Sequence, residues 1–194
     1  MARTKVFDED LILEKAMNLF WKKGYNATSA QDLVDYLGIS RSSLYDTYGD
    51  KHTLFIKTLK QYRKERIDPV IYAVDEPEDI ETYIRNIFEA AKKEALDEEC
   101  SKGCFMVNSA VELAPVDEEV RAISNSIMQD TENAITKAIK KGQEKGLFTT
   151  VHSARSLARF IFNSLNGLRV TIKFDASKRM FDDIVNVCLA ALKV

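Results

Sequence analysis

Between Asn26 and Lys51 the chain reads NATSAQDLVDYLGISRSSLYDTYGDK, which leaves room for two short helices, a tight turn and little else. Thr28, with Gln31 three residues on, makes a T-x-x-Q capping box, so a helix is expected to start there. Leu33, Val34 and Leu37 give that helix an apolar side. Gly38 stops it, because glycine tolerates the left-handed backbone of a helix end. Ile39 follows as a buried plug, and Ser40 caps a second helix over Arg41 to Tyr48. At its start Arg41, Ser42 and Ser43 point away from Leu44, while Tyr45 and Tyr48 add aromatic faces with hydroxyl tips. This is the pattern of a helix-turn-helix, and such a polar helix N-terminus suits phosphates and base edges.

The rest of the chain continues in helices. Seven Gly and three Pro in 194 residues favour long uninterrupted elements, and no alternating strand pattern or internal repeat occurs. A composition 45% hydrophobic and 30% charged is that of a folded chain rather than a disordered one. Leu13, Ala16, Met17 and Phe20 predict a first helix over about 9–23, capped by Asp8 and stopped by Gly24. Asp50 caps a fourth, expected to run to about Ile67, where Pro69 limits it. Five more follow at about 79–98, 103–113, 117–145, 153–174 and 178–192. The expected fold is therefore all-α, with about nine helices: a helix-turn-helix unit over 1–50, a connecting helix over 51–67 and a larger helical domain over 68–194. No run of about 18 apolar residues suggests a membrane span. The charged start MARTKVFDEDLI lacks the apolar stretch of a signal peptide, so the cytoplasm is the expected location.

Net charge is −2 overall but unevenly spread. Residues 1–66 carry 12 Lys/Arg against 9 Asp/Glu, and the remainder carries 16 against 21. The end with the helix-turn-helix is the basic one, as a phosphate-binding end should be.

These residues resemble the TetR family of one-component repressors. The matching motifs are F-x-x-x-G-Y-x-x-T-S from Phe20 to Ser29, Asp32-Leu33, G-I-S-R-S-S-L-Y from Gly38 to Tyr45, and G-D-K from Gly49 to Lys51. The likeness is specific over about residues 9–60 and becomes one of shape beyond. It implies a homodimer on a pseudo-palindromic, double-stranded DNA operator, released by an effector held in the C-terminal domain. Carried onto this sequence, Thr28, Tyr48 and Lys51 become phosphate contacts, and Arg41, Ser42 and Tyr45 approach bases, with Ser40, Ser43 and Thr47 beside them. Thr47 departs from the family, which often has an aromatic there, and that shifts the expected phosphate contact towards Tyr48.

For the effector, the candidate lining is Phe88, Cys104, Phe105, Met106, Met128, Phe162, Asn163 and Asn166, with ordinary core the commoner role for the apolar ones and the two amides the more suggestive members. For the dimer, apolar stripes on the last two helices are the expected tie, the alternative being that both face their own core: Leu157, Phe160, Ile161, Leu165 and Leu168, then Met180, Ile184, Val187 and Leu192. In Cys100-Ser-Lys-Gly-Cys104, the second thiol starts a helix beside Lys102, and both features favour thiolate. Gly103-Cys104, Phe105-Met106-Val107 and Glu112 are similar to a TetR subgroup with electrophile- and oxidant-responsive members. Cys104 is thus either a sensor of reactive species with Cys100 as resolving partner, or a small core hydrophobe. C-x3-C with no second pair and remote His52 and His152 argues against zinc, and no cofactor is implied. No nucleophile elbow, phosphate-cradling glycine loop or HExxH motif points to an enzyme. The competing class is a helical adaptor that never touches DNA.

Overall fold

The computed structural model describes residues 7–75, 79–96, 102–174 and 177–193. Among them are nine helices of eight or more residues and no strand: α1 Glu9–Lys23, α2 Ala30–Leu37, α3 Arg41–Tyr48, α4 Lys51–Tyr62, α6 Ile80–Leu96, α7 Phe105–Leu113, α8 Glu118–Glu144, α9 Ala154–Thr171 and α10 Lys178–Ala190. A short α5, Asp68–Tyr72, follows α4. The expected boundaries hold to within a few residues. The expected end of α6, at residues 97 and 98, lies outside the described residues, as does Cys100.

Two local expectations fail for clear reasons. The cap of α2 is Ser29, not Thr28. Ser29 Oγ accepts the Asp32 amide at 3.1 Å, and the Asp32 carboxylate accepts the Ser29 amide at 2.7 Å, closing the box one residue later. Thr28 is fully buried and donates its hydroxyl to the Gly24 carbonyl at 2.6 Å, while Gln31 turns to Asp35. The helical path also continues past Pro69. A wide π-type turn over Arg63–Ile67 ends with the Asp68 amide donating to the Arg63 carbonyl. Pro69 then falls in the first turn of α5, where its missing N–H leaves no bond unmade.

The described residues form two cores. One joins α1–α4 to α7 and the first turns of α8. At its centre Phe105 meets Phe55 edge-on at 5.8 Å and Tyr62 at 5.7 Å, with Trp21 at 6.1 Å. The other joins α6, the later part of α8, α9 and α10. Phe88 lies there, fully buried. So do Leu157, Ile161, Leu165 and Leu168, and Leu192 beside them. This corrects the expected dimer stripe on α9: helical period reveals an apolar face but not which body covers it, and these side chains pack on their own chain. On the outward side remain Phe160, Asn163, Gly167, Val170 and Phe174, with Val187 on α10. Met180 and Ile184 are half-buried, packed against the core edge.

Candidate nucleic-acid interface and an interior cavity

The start of α3 stands in solvent. Ser40 caps it, its Oγ accepting the Ser43 amide at 3.1 Å, and the same hydroxyl lies 3.0 Å from Ser42 Oγ and 2.8 Å from Ser43 Oγ. Ser40, Arg41 and Ser42 are exposed; Ser43, Tyr45 and Thr47 are half-buried. The Arg41 guanidinium lies 5.7 Å from the Tyr45 ring centre, which arrays a cation and an aromatic hydroxyl on one outward face. Lys51 is half-buried, with its Nζ 4.1 Å from the centre of the Tyr25 ring, and burial pulls its pKa down.

Two expected DNA contacts are corrected. Thr28 has no exposed surface. Tyr48 is 4% exposed, and its hydroxyl donates to the Glu9 carbonyl at 3.2 Å. Desolvation by burial pushes its pKa up to about 12. Both residues hold the head together rather than present a group to phosphate. A resemblance transfers a residue type to a position, but not the turn of the helix that decides its direction.

A cavity of about 310 Å³ lies behind the head, between the connecting segment, α6, α7, α8 and α9. Buried Tyr62, Ile87, Cys104, Met106, Ile127 and Leu165 line its inner wall. Exposed Arg66, Ala90, Val111, Asn125 and Met128 form its rim. Of the expected lining, Cys104, Met106, Met128, Phe162 and Asn166 are there. Phe88 and Phe105 are locked in the two cores, and Asn163 is exposed on the far face of α9, so these three do not line it. Arg66, Val107, Ala110 and Arg169 were missed. A signal was available for the two on α7: Cys104, Val107, Ala110, Val111 and Ala114 recur at helical spacing along α7 and its caps, whereas nothing of the kind marks Arg66 or Arg169.

Cys104 is 1% exposed, with Sγ 3.5 Å from the Tyr62 hydroxyl. Lys102 does not serve it; its Nζ lies 5.5 Å from the Trp21 ring centre.

The wall that carries Cys104 also grips the head. Glu112 on α7 accepts the Tyr25 amide at 3.0 Å and the Asn26 amide at 2.7 Å, holding the loop between α1 and α2. Trp21 Nε1 donates to the Gly103 carbonyl at 3.0 Å. His52 Nε2 lies 2.7 Å from Asp117, the cap of α8, and Arg63 bridges from the connector to Ser126 at 2.9 Å and Asp130 at 2.5 Å. Asp117 is legible in the sequence as a helix cap and Glu112 through the resemblance, but the pairings themselves are not, because the partners lie dozens of residues apart along the chain.

A capped reading helix on a small head, bound through a shared core to a helical body with an apolar cavity, defines a one-component helix-turn-helix regulator. The chain belongs to the TetR family: the family sequence model for bacterial regulatory proteins, tetR family, matches residues 12–58, and one for the tetracyclin repressor-like C-terminal domain matches residues 81–187. It is similar to the helix-turn-helix-type transcriptional regulator YezE of Bacillus subtilis (strain 168), 34% identical over 99% of this chain and 100% of that protein. The transcriptional repressor ComR of Escherichia coli (strain K12) is 27% identical over 96% of this chain and 90% of its own length. In fold it matches a cysteine mutant of the TetR family regulator CifR in complex with 26-bp double-strand operator DNA, with a TM-score of 0.86 and 24% identity over 98% of this chain and 100% of that one. No helix of the described residues is long and apolar enough to cross a membrane.

Proposed function

We propose that the protein is a non-enzymatic, cytoplasmic repressor that binds a pseudo-palindromic operator as a homodimer and is released when an effector occupies the cavity. The observation that carries this reading is the position of α7. One side of it walls the cavity, and Glu112 on the same helix holds the head by two backbone amides. A ligand that displaces α7 therefore changes the angle at which α3 is offered to DNA. Within the head, Arg41, Ser42 and Tyr45 read base edges, and Ser40, Ser43, Thr47 and Lys51 position the backbone. Residues 1–50 read, 51–67 connect and 68–194 sense and dimerise. The outward face of α9 supports dimerisation: Phe160, Asn163, Gly167 and Val170 recur at the three- and four-residue spacing of a helix–helix seam, and exposed Phe174 follows in the turn after it. The experiment is a gel shift against the DNA upstream of the protein's own gene, repeated at rising salt. A specific shifted band that weakens steeply with salt is expected; no preference over unrelated DNA would leave the adaptor class in its place.

A second reading, that Cys104 senses reactive electrophiles, is favoured by one observation: Cys104 lines the cavity, so a small electrophile that enters meets its thiol.

A further inference from the structure

We propose that the cavity is built for a small, largely apolar hydroxyl compound, a phenol or alcohol whose O–H donates to Asn166 Oδ1. The inference rests on the reading of this cavity as the effector site.

The size comes first. At interior packing density, about 310 Å³ holds an organic molecule of roughly ten to fifteen non-hydrogen atoms. The walls come next. Side chains such as Ile67, Val70, Ile87, Met106, Ile127 and Phe162 make most of the lining, so most of the ligand must be apolar too. The polar requirement is narrower. Asn166 lines the cavity, and its Oδ1 is buried with no hydrogen-bond partner among the described residues. Buried acceptors are nearly always satisfied, so an orphan in a cavity wall marks the place where a donor arrives.

Charge selects among donors. The described lining contains Arg66 and Arg169 and no Asp or Glu. An ammonium would donate to Asn166 but would sit beside two guanidiniums with no carboxylate to balance it. A carboxylate brings no proton to Oδ1 at neutral pH. An amide N–H would serve too, and its carbonyl could accept from a guanidinium, but it takes two strongly hydrated groups out of water where a hydroxyl takes one. A hydroxyl supplies one donor with the least polar surface to desolvate, and its oxygen can still accept from a neighbouring guanidinium.

The test compares 4-propylphenol with 4-propylanisole, which keeps the ring and the oxygen but has no proton to give, and with 4-propylbenzoate and 4-propylbenzylamine. Dissociation constants are measured by equilibrium titration for the wild type, Asn166→Leu and Ala110→Phe. The wild type is expected to bind the phenol about tenfold more tightly than the anisole, and more tightly than either charged probe. Asn166→Leu should bring phenol and anisole level, and should raise the thermal midpoint of the empty protein because the orphan acceptor is gone. Equal binding of phenol and anisole by the wild type overturns the assignment. So does tightest binding of a charged probe, a preference that survives in Asn166→Leu, or no binding of the phenol at millimolar concentration. Ala110→Phe separates the two levels of argument, its folding checked by its thermal midpoint. If binding shows no phenol preference but is abolished by Ala110→Phe, the cavity still takes ligands and only the hydroxyl class fails. If binding is indifferent to Ala110→Phe, the ligand sits elsewhere and the cavity reading falls as well.

Discussion

Arg41 and Tyr48 stand at opposite ends of α3, one in solvent and one in the core. They should therefore fail in different assays. Arg41→Ala is expected to leave the thermal midpoint unchanged and to weaken operator binding by about 1–3 kcal/mol, with relaxed preference at one base position. Tyr48→Phe removes a hydrogen bond to the Glu9 carbonyl and should cost about 1 kcal/mol of stability, leaving the salt slope of DNA binding as it was. A changed slope in Tyr48→Phe would return that hydroxyl to the DNA. Cys104 gives a third contrast. Both Cys104 and Cys188 are buried, but only Cys104 lines the cavity. A small electrophile should label Cys104 before Cys188 by mass spectrometry, and a cavity ligand should slow the labelling of Cys104; equal labelling of these two thiols, untouched by ligand, would show that neither is reached through the cavity.

At the scale of elements, most of the chain was legible. Caps at Asp8, Ser40, Asp50, Asp117 and Ser153 each start a helix where the sequence places one, because a short acceptor side chain satisfies local amides and needs no distant partner. What was not legible depends on partners far along the chain. Nothing in the spacing of Phe105 says that it packs under Trp21 and Phe55 rather than into the cavity. Nothing in the period of α9 says which stripe is internal. Gly142 is a case of local rules overruled. An alanine there would favour helix by about 1 kcal/mol. Yet a Cβ would lie 2.2 Å from the Phe148 ring, so Gly142→Ala should instead destabilise by about 1–3 kcal/mol, read by denaturant titration. Asp117 adds a pH dependence. Its bond from the Val120 amide, helped by His52, holds its pKa below the ordinary value of 3.8. The cap is thus fully effective above that value and is lost as pH falls below it. Asp117→Asn should flatten the decline of the thermal midpoint below pH 4; an unchanged decline would assign the acid sensitivity to other carboxylates.

At the scale of the whole molecule, the two faces of α9 make a clean division. Phe160 is 44% exposed and Leu165 is 1% exposed, so a charge at either should act differently. Phe160→Glu is expected to give a folded monomer by light scattering, with operator affinity reduced as the second reading head is lost. Leu165→Glu forces a carboxylate into packed apolar side chains and should unfold the body. A folded dimer in Phe160→Glu would move the seam off this face. The shared core of α1–α4, α7 and early α8 carries one more consequence, for anyone who treats such proteins as interchangeable parts. A graft that joins this reading head to a foreign sensor at the connecting helix would leave Trp21, Phe55 and Tyr62 facing another protein's α7, with no Phe105 cut to fit them. The transferable unit is not a continuous stretch of chain, and a working chimera must carry α7 across with the head.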